Sequence, residues 1–392
     1  MIKNLIKIML IVSIAGMVFA SAGKSSTEIR GQMRYIPFDN SSGTHTYGSN
    51  ASSTTRTTNG FIGSVVDFVV LAINHKFNDN LSIQIDPTYQ SNTKSTPVFG
   101  SDVAAQKSTS AYLFDAQNWD NAKLIYTVDG YTFSGGVMRN KLTWDYGDYL
   151  SWKDSLMETR FSVNSDIAWI DSGLELKKSV TVMEKKVGLT FQLLNGGTSQ
   201  VDLNQQVAWL VKVEPELYGL KFEASYYNNM QANGVSSDLR AAVGVLYEDG
   251  PLYLRSEYVK SSQAGARARY NTAATSAGTD KQVGNDNKKQ DGYNAIARYS
   301  MLPWIGQIEY AEFTNNNYVG VAYASDCKET YKDLALSVIY SFSKDFNINV
   351  TLMNSNYARS DSSAPTYAAN TARYQTEVLD FTRLIIGTRV NF

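Results

Sequence analysis

The sequence predicts an all-β fold, a transmembrane antiparallel β-barrel of about 16 strands. Three observations lead to it: alternating polar and apolar residues at the end of the chain, an N-terminal apolar run, and an aromatic-rich composition. The 392 residues include 25 Tyr, 16 Phe and 6 Trp but only 7 Pro. Aromatic residues favour strands and mark the interfaces of membrane barrels. The mean hydropathy of −0.27 does not oppose this fold, because only alternate strand residues face lipid.

The last seventeen residues, Thr376 to Phe392, alternate at the period of a β-strand. Leu384, Ile386 and Val390 share one face, whereas Arg383 and Arg389 share the other. A membrane-crossing strand needs about 9 to 11 residues, so this segment is long enough. It resembles the closing strand of bacterial outer-membrane barrels. The resemblance implies that Phe392 is the insertion signal and that the barrel-assembly machinery is a partner. Closure of the cylinder requires in turn that the first strand pairs with this one.

The N-terminal segment predicts export. Lys3 and Lys7 precede an apolar run from Ile8 to Phe19 that is too short for a spanning helix, and small residues follow at 20–22. We interpret residues 1–22 as a signal peptide and 23–392 as the barrel; a retained amphipathic anchor is the alternative. Without residues 1–22 the formal charge is near −3, which gives no indication of a nucleic-acid partner.

No cofactor is expected. Cys327 is the single cysteine, so the chain cannot form an intramolecular disulfide, and there is no Cys-x-x-Cys-His motif for haem attachment. The role of Cys327 stays open. No phosphate-binding loop, dinucleotide fingerprint or metal-ligand spacing is present either.

The predicted strands follow one another with alternating short and long connections. The first is near 28–35, and a Ser/Thr/Asn/Gly-rich segment, about Asp39 to Gly60, is predicted as a long loop. Asp129-Gly130 predicts a tight two-residue hairpin turn. The remaining predicted strands are 61–77, 81–90, 121–128, 131–139, 166–177, 186–194, 203–213, 220–228, 237–247, 252–260, 291–301, 305–313, 331–342, 346–357 and 376–392.

Closure into a cylinder is the expected arrangement of these strands. An even strand number puts both chain ends on one side of the membrane, and closure leaves no unpaired edge in hydrocarbon. A soluble sandwich or propeller is the alternative. It would need polar outward faces, where the sequence instead repeats Val, Leu, Phe, Trp and Tyr.

Three segments resemble the phosphate-selective porin O and P family of Gram-negative outer-membrane porins: residues 121–142, 173–197 and 206–228. Their motifs are loose. The resemblance implies an outer-membrane location, sixteen strands, a homotrimer, and a third long loop folded inward as a constriction. The segment Lys141 to Phe161, rich in aromatic and charged residues, fits that loop, and Tyr149 to Thr159 could form helical turns.

The charges expected in the pore come from two sources. By alternation the strands contribute a wall of mixed sign with a basic excess: Arg30, Arg34, Asp86, Lys212, Lys221, Glu223, Arg255, Glu257, Arg298, Asp333, Arg383 and Arg389. The inward loop contributes Asp145, Asp148, Asp154 and Glu158 against Lys141, Lys153 and Arg160, a net acidic set. The alternative for each residue is a solvated surface charge.

These features predict a passive channel for small hydrophilic solutes or ions. A phosphate-selective channel would carry arginines along its lumen and lysines at its constriction, but this constriction is predicted to be acidic. Phosphate specificity is therefore not carried over, although an anion-selective channel and a loop-mediated adhesin remain alternatives. Catalysis is not expected, since His45 and His75 lie in no nucleophile motif.

Overall fold

A computed structural model of the chain describes residues 24–47, 52–59, 63–90, 119–144, 170–195, 207–230, 237–266, 286–318, 326–361 and 374–391. These residues form one antiparallel sheet of seventeen strands. The strands are β1 Lys24–Tyr47, β2 Ser52–Asn59, β3 Gly63–Lys76, β4 Leu81–Gln90, β5 Trp119–Val128, β6 Tyr131–Arg139, β7 Ile170–Val182, β8 Lys185–Leu194, β9 Ala208–Leu217, β10 Leu220–Met230, β11 Ser237–Asp249, β12 Leu252–Ala266, β13 Asp286–Met301, β14 Trp304–Tyr318, β15 Asp326–Ser343, β16 Phe346–Asp361 and β17 Tyr374–Asn391.

The sheet closes into a barrel with sixteen strand positions. β2 and β3 share one position, because β2 pairs with the second half of β1 and β3 pairs with its first half. The last strand then pairs with β1, from Arg30 opposite Asn391 to Tyr47 opposite Tyr374. The predicted β-barrel and its closure between the first and last strands are thus confirmed.

The two ends of the barrel differ. Every second connection is a short turn, and these turns lie at the same end as Lys24 and Asn391; we call this the short-turn end, and the opposite end the loop end. The predicted hairpin at Asp129-Gly130 is present, with φ of 49° and 75°. Asn and Asp tolerate this left-handed conformation and glycine adopts it freely, which is why the pair favours a two-residue turn.

The barrel is inverted relative to a soluble protein. On β10, Glu223, Ser225 and Asn229 are buried, whereas Ala224 and Tyr226 between them are exposed. The same alternation gives β15 an exposed row of Leu334, Leu336 and Val338. Large apolar side chains therefore cover the outside, and the buried charged and polar side chains lie inside, beside apolar ones such as Met138 and Leu210, as expected for a barrel whose outer face is in lipid.

Some predicted boundaries are wrong. The segment from Asp39 to Gly60 was expected to be a loop, but β1 continues to Tyr47 and β2 occupies Ser52–Asn59. Its Thr and Ser residues pair across the strands, as Thr44 does with Thr55, and such residues fit a paired strand even where no apolar alternation marks it. The strand predicted at 203–213 is displaced, to Ala208–Leu217. The strands predicted at 252–260 and 291–301 are longer than expected, since β12 ends at Ala266 and β13 begins at Asp286.

Several predictions fall outside the described residues: the signal peptide at 1–22, the terminal Phe392, and the helical turns within 149–159. Within the ranges given above, no helix has the length and apolar character to cross a membrane.

Candidate channel lumen

The inward face of the barrel carries the chain's buried charges. Because one side of every strand faces lipid in this arrangement, the charged half of each alternating pair must turn inside. The inward residues with side-chain exposure below a tenth include Asp86, Glu175, Lys212, Glu223, Arg255, Glu257, Glu309, Asp333, Arg383 and Arg389. Buried charges of both signs must be paired or hydrogen-bonded, so their partners define the lumen.

Four carboxylates lie along one row of the inner wall, which we call the acid row: Glu214, Glu223, Glu257 and Asp333. Glu223 on β10 lies opposite Gly244, which lies opposite Glu257 on β12. The row continues through Asn294 and Ala311 to Asp333 on β15. Glu214 on β9 extends it on the other side, next to the pair formed by Val213 and Ala224.

Two basic side chains from neighbouring rows pair with three members of the acid row. Lys212 Nζ lies 2.5 Å from Glu223 Oε2 and 3.4 Å from Glu214 Oε1. Arg255 Nε lies 3.4 Å from Glu257 Oε2, and both side chains are 1% exposed. At such burial an ion pair stabilises the fold only as a pair, because removing one partner leaves the other charge buried alone.

After β6 the chain turns into the barrel. The backbone N–H of Lys141 donates to Gln192 Oε1 at 3.0 Å, and Gln192 Nε2 donates to the carbonyl of Arg139 at 2.9 Å. Leu142 is fully buried, and its carbonyl accepts a hydrogen bond from the Ser225 hydroxyl. Residues 140–144 therefore run along the inner wall of β8–β10, which is where a segment entering the lumen must begin.

Trp144 holds this segment against the acid row. Its indole Nε1–H donates to Glu214 Oε1 at 2.9 Å, and its backbone N–H donates to Glu223 Oε1 at 3.4 Å. Its ring lies 5.6 Å from Lys212 Nζ, within range of a cation–π contact. Gly244 leaves room for it, since a Cβ there would lie 2.8 Å from Glu223 Oε1 and 3.1 Å from Trp144 Cζ3.

Arginines dominate the half of the lumen nearer the short-turn end. Arg298 Nε donates to Gln307 Oε1 at 2.7 Å, and its guanidinium lies 5.0 Å from the centre of the Tyr253 ring. At the seam of the barrel, Arg389 Nε on β17 donates to Gln32 Oε1 on β1 at 2.8 Å. These contacts hold guanidinium groups on the wall, so a solute passing through meets both signs of charge.

The other predicted strand residues have varied positions. Arg30 is partly buried, with Nε 3.8 Å from Glu28 Oε1. Asp86 accepts hydrogen bonds from Gln84 and Asn121. Lys221 is exposed near the short-turn end, opposite Glu216. The guanidinium of Arg383 lies 5.8 Å from the centre of a neighbouring phenyl ring.

The inward loop is described only at its start. Lys141 lies on the inner wall, whereas Asp145, Asp148, Lys153, Asp154, Glu158 and Arg160 lie outside the described residues, as does the side chain of Arg34. The acidic constriction therefore stays a prediction.

Sequence reasoning missed Glu214, Glu175 and Glu309 as inward carboxylates. Glu214 follows Lys212 by two residues and so belongs on the same face, a signal that alternation alone provides. Sequence reasoning also missed the role of Gly244. No local pattern predicts that the ring of Trp144, which follows β6, will occupy the space beside this glycine on β11.

Solved structures of similar fold are outer-membrane proteins. No family model matches the chain, and no curated protein sequence matches it. OmpF of Salmonella typhi, solved in complex with daunomycin, is 14% identical over 94% of this chain and 98% of its own, with a TM-score of 0.54. The outer-membrane channel DcaP of Acinetobacter baumannii is 12% identical over 93% and 98%, with a TM-score of 0.50. An anion-selective porin from Comamonas acidovorans is 12% identical over 94% and 100%, also with a TM-score of 0.50. At such identities the likeness is one of fold: the chain has the β-barrel fold of porins.

Proposed function

We propose that this protein is an outer-membrane porin, a passive diffusion channel for small hydrophilic solutes and ions. The observation that carries the proposal is the inverted barrel, with an apolar outer face and a charged inner face. Its inner face carries charges of both signs, which suits hydrated solutes. In this arrangement the short-turn end faces the periplasm and the loop end faces the outside, residues 1–22 direct export, and Phe392 is the insertion signal for the barrel-assembly machinery.

The outer face supports the placement in a bilayer. Trp304 and Tyr340 pack at the short-turn end with ring centroids 4.8 Å apart, and Tyr293 and Tyr310 pack toward the loop end at 5.6 Å. Between them β14 and β15 expose aliphatic residues such as Ile308 and Leu336. Two aromatic levels that flank an apolar band are the outer surface expected of a membrane barrel.

Conductance is the direct test. Purified full-length protein should open stepwise conductances in a planar bilayer and admit small sugars into liposomes, while protein denatured before reconstitution should do neither. It should also migrate anomalously on gels unless boiled, because the closed sheet resists detergent. Folded protein that admits no small solute would refute the proposal.

Charge selectivity is proposed to come from the inward loop, because fields focus where a low-dielectric channel is narrowest. Changing Asp145 and Asp148 together to Asn should reduce cation preference, measured as reversal potential in a KCl gradient. The matched control changes Asp79 and Asp249, two exposed carboxylates at the short-turn end, to Asn. If the double change leaves the reversal potential as it is, the loop does not control selectivity.

A homotrimer is part of the proposal, supported by the broad apolar outer surface that a second copy could cover. Native mass spectrometry of the protein in mild detergent should give three chains per particle.

An anion-selective channel is the second candidate, favoured by the lumen arginines Arg298, Arg383 and Arg389; it predicts a reversal potential of the opposite sign.

A further inference from the structure

We infer that the outer face of β12–β15 binds phosphorylated lipid headgroups at the loop end through four lysines, which we call the lysine patch: Lys260, Lys289, Lys328 and Lys332. The inference rests on the proposed membrane placement, in which the loop end of the barrel meets the outer leaflet. The proposed occupant is the phosphate of a membrane lipid, because the patch lies on the lipid-facing side of the strands.

Strand register brings the four lysines together. Lys289 on β13 and Lys328 on β15 both lie opposite Asn316 on β14, so they share one row two strands apart, about 10 Å between Cα atoms. Lys332 lies four residues further along β15, about 13 Å away. Lys260 on β12 lies opposite Asp291. All four lysines are exposed, and alternation turns them outward, since Gln290 and Asp333 beside them are buried inside.

A tyrosine cluster sets the level of the patch in the membrane. Tyr293 and Tyr310 both donate their hydroxyls to Glu312 Oε2, at 3.2 Å and 2.9 Å, and Lys332 Nζ lies 3.4 Å from Glu312 Oε1. Tyr258 is exposed beside them, 39%. Tyrosines concentrate at the boundary between hydrocarbon and headgroups. The lysines at and beyond this level are therefore at headgroup depth, where their long stems can cover apolar surface while the ammonium groups reach phosphate.

Charge supports an anionic ligand. Among the outward residues of β12–β15 whose side chains the structure describes, the carboxylates near the patch are Asp291 and Glu312, two against four lysines. Among the residues that the structure describes, the loop end of β7–β11 has no such outward lysines. On β7–β11 the described outward residues nearest the loop end are uncharged: Ser172, Leu193, Trp209, Asn228 and Leu239. A general requirement for basic residues around the rim would not produce this asymmetry.

Lipid binding to the detergent-solubilised full chain tests the inference. Native mass spectrometry would follow titration with diphosphoryl lipid A, with its dephosphorylated form carrying the same acyl chains, and with inorganic phosphate as competitor. The patch variant changes Lys289, Lys328 and Lys332 to Gln. The matched control makes the same three changes at the short-turn end, at Lys178, Lys185 and Lys344.

Wild type and the control variant should bind the phosphorylated lipid in preference to the dephosphorylated form, and excess inorganic phosphate should displace little of it. The patch variant should bind it about a hundredfold more weakly, since each lysine at an anionic surface contributes roughly a factor of five. Equal loss in both variants, no loss in the patch variant, equal binding of both lipid forms, or full displacement by free phosphate would overturn the inference.

Conductance separates the two proposals. The three patch lysines lie outside the lumen, so the patch variant should retain wild-type conductance and heat-modifiable migration, which also checks that it folds. A wild type that conducts ions but binds both lipid forms equally would reject the lysine patch and leave the channel standing. A wild type that binds lipid but conducts nothing would reject the channel.

Discussion

The indole of Trp144 is the contact whose loss should be easiest to observe in the channel. Replacing Trp144 with Phe keeps an aromatic ring near Lys212 and keeps the backbone N–H that donates to Glu223. It removes the single hydrogen bond from Nε1–H to Glu214 Oε1, 2.9 Å long. The change therefore weakens the attachment of residues 140–144 to the wall without emptying the space that the ring fills.

The magnitude follows from the acceptor. A hydrogen bond to a charged group contributes about 1.5–3 kcal/mol. The Glu214 side chain is 34% exposed, so water can replace part of the lost bond, and we take about 1–1.5 kcal/mol. That free energy raises the population of the detached segment about five- to tenfold.

Single-channel recording is the assay, because the detached segment leads into the predicted constriction. Trp144→Phe should increase the time spent in brief closures or current noise by about five- to tenfold. Boiling-dependent migration on gels should not change, since the strand ladders are untouched. Trp209→Phe is the control: this Trp faces outward and packs against Tyr226 at 5.4 Å. If both variants record like wild type, Trp144 does not hold the segment, or the segment does not border the ion path.

Three further predictions concern the barrel wall. Gly136→Ala should destabilise the barrel by about 2–4 kcal/mol in urea titration, because Gly136 has φ of 132° and a Cβ there would lie 2.3 Å from a backbone carbonyl oxygen of β5. The control is Gly135→Ala, whose Cβ would meet only a leucine methyl group at 3.3 Å, so its stability should stay near that of wild type. Lys212→Met should destabilise by about 3–5 kcal/mol because it leaves Glu223 buried without its cation, and adding Glu223→Leu should recover most of that loss in the same titration. Arg389→Met should lower the temperature at which migration becomes heat-modified, because it removes the side-chain hydrogen bond across the seam; an unchanged temperature would mean that the backbone ladder alone holds β1 to β17.

Alternation made the barrel predictable from sequence. A two-residue period survives in nearly every strand because one face meets lipid and the other meets the lumen, so faces such as that of Leu334, Leu336 and Val338 could be assigned without a structure. It failed between Asp39 and Gly60, where β1 and β2 carry Ser and Thr on both faces. Strands at the end of the barrel can be polar on both faces, and the alternation of polar and apolar residues then does not reveal them.

The site was less predictable than the wall because its contacts join distant parts of the chain. Trp144 reaches Glu214 and Glu223, 70 and 79 residues away. A sequence gives the side on which each carboxylate lies, but it does not give which indole will approach it. Gly244 has the same character: its lack of a side chain matters only because β10 brings Glu223 opposite it and the inward segment brings Trp144 above it.

The arrangement of charge along the lumen bears on selectivity. A solute entering from the loop end meets the acid row, where Lys212 and Arg255 offset part of the negative charge, and then meets the arginine-rich half. Because both signs are held on the wall within a few rows, their fields partly cancel, and salt screens what remains beyond about 8 Å. Neither sign forms a continuous ladder along the described wall, so this wall by itself suits general diffusion better than phosphate transport. Strong selectivity would then have to come from the segment after Trp144, where the sequence places four acidic residues against two basic ones, Lys153 and Arg160.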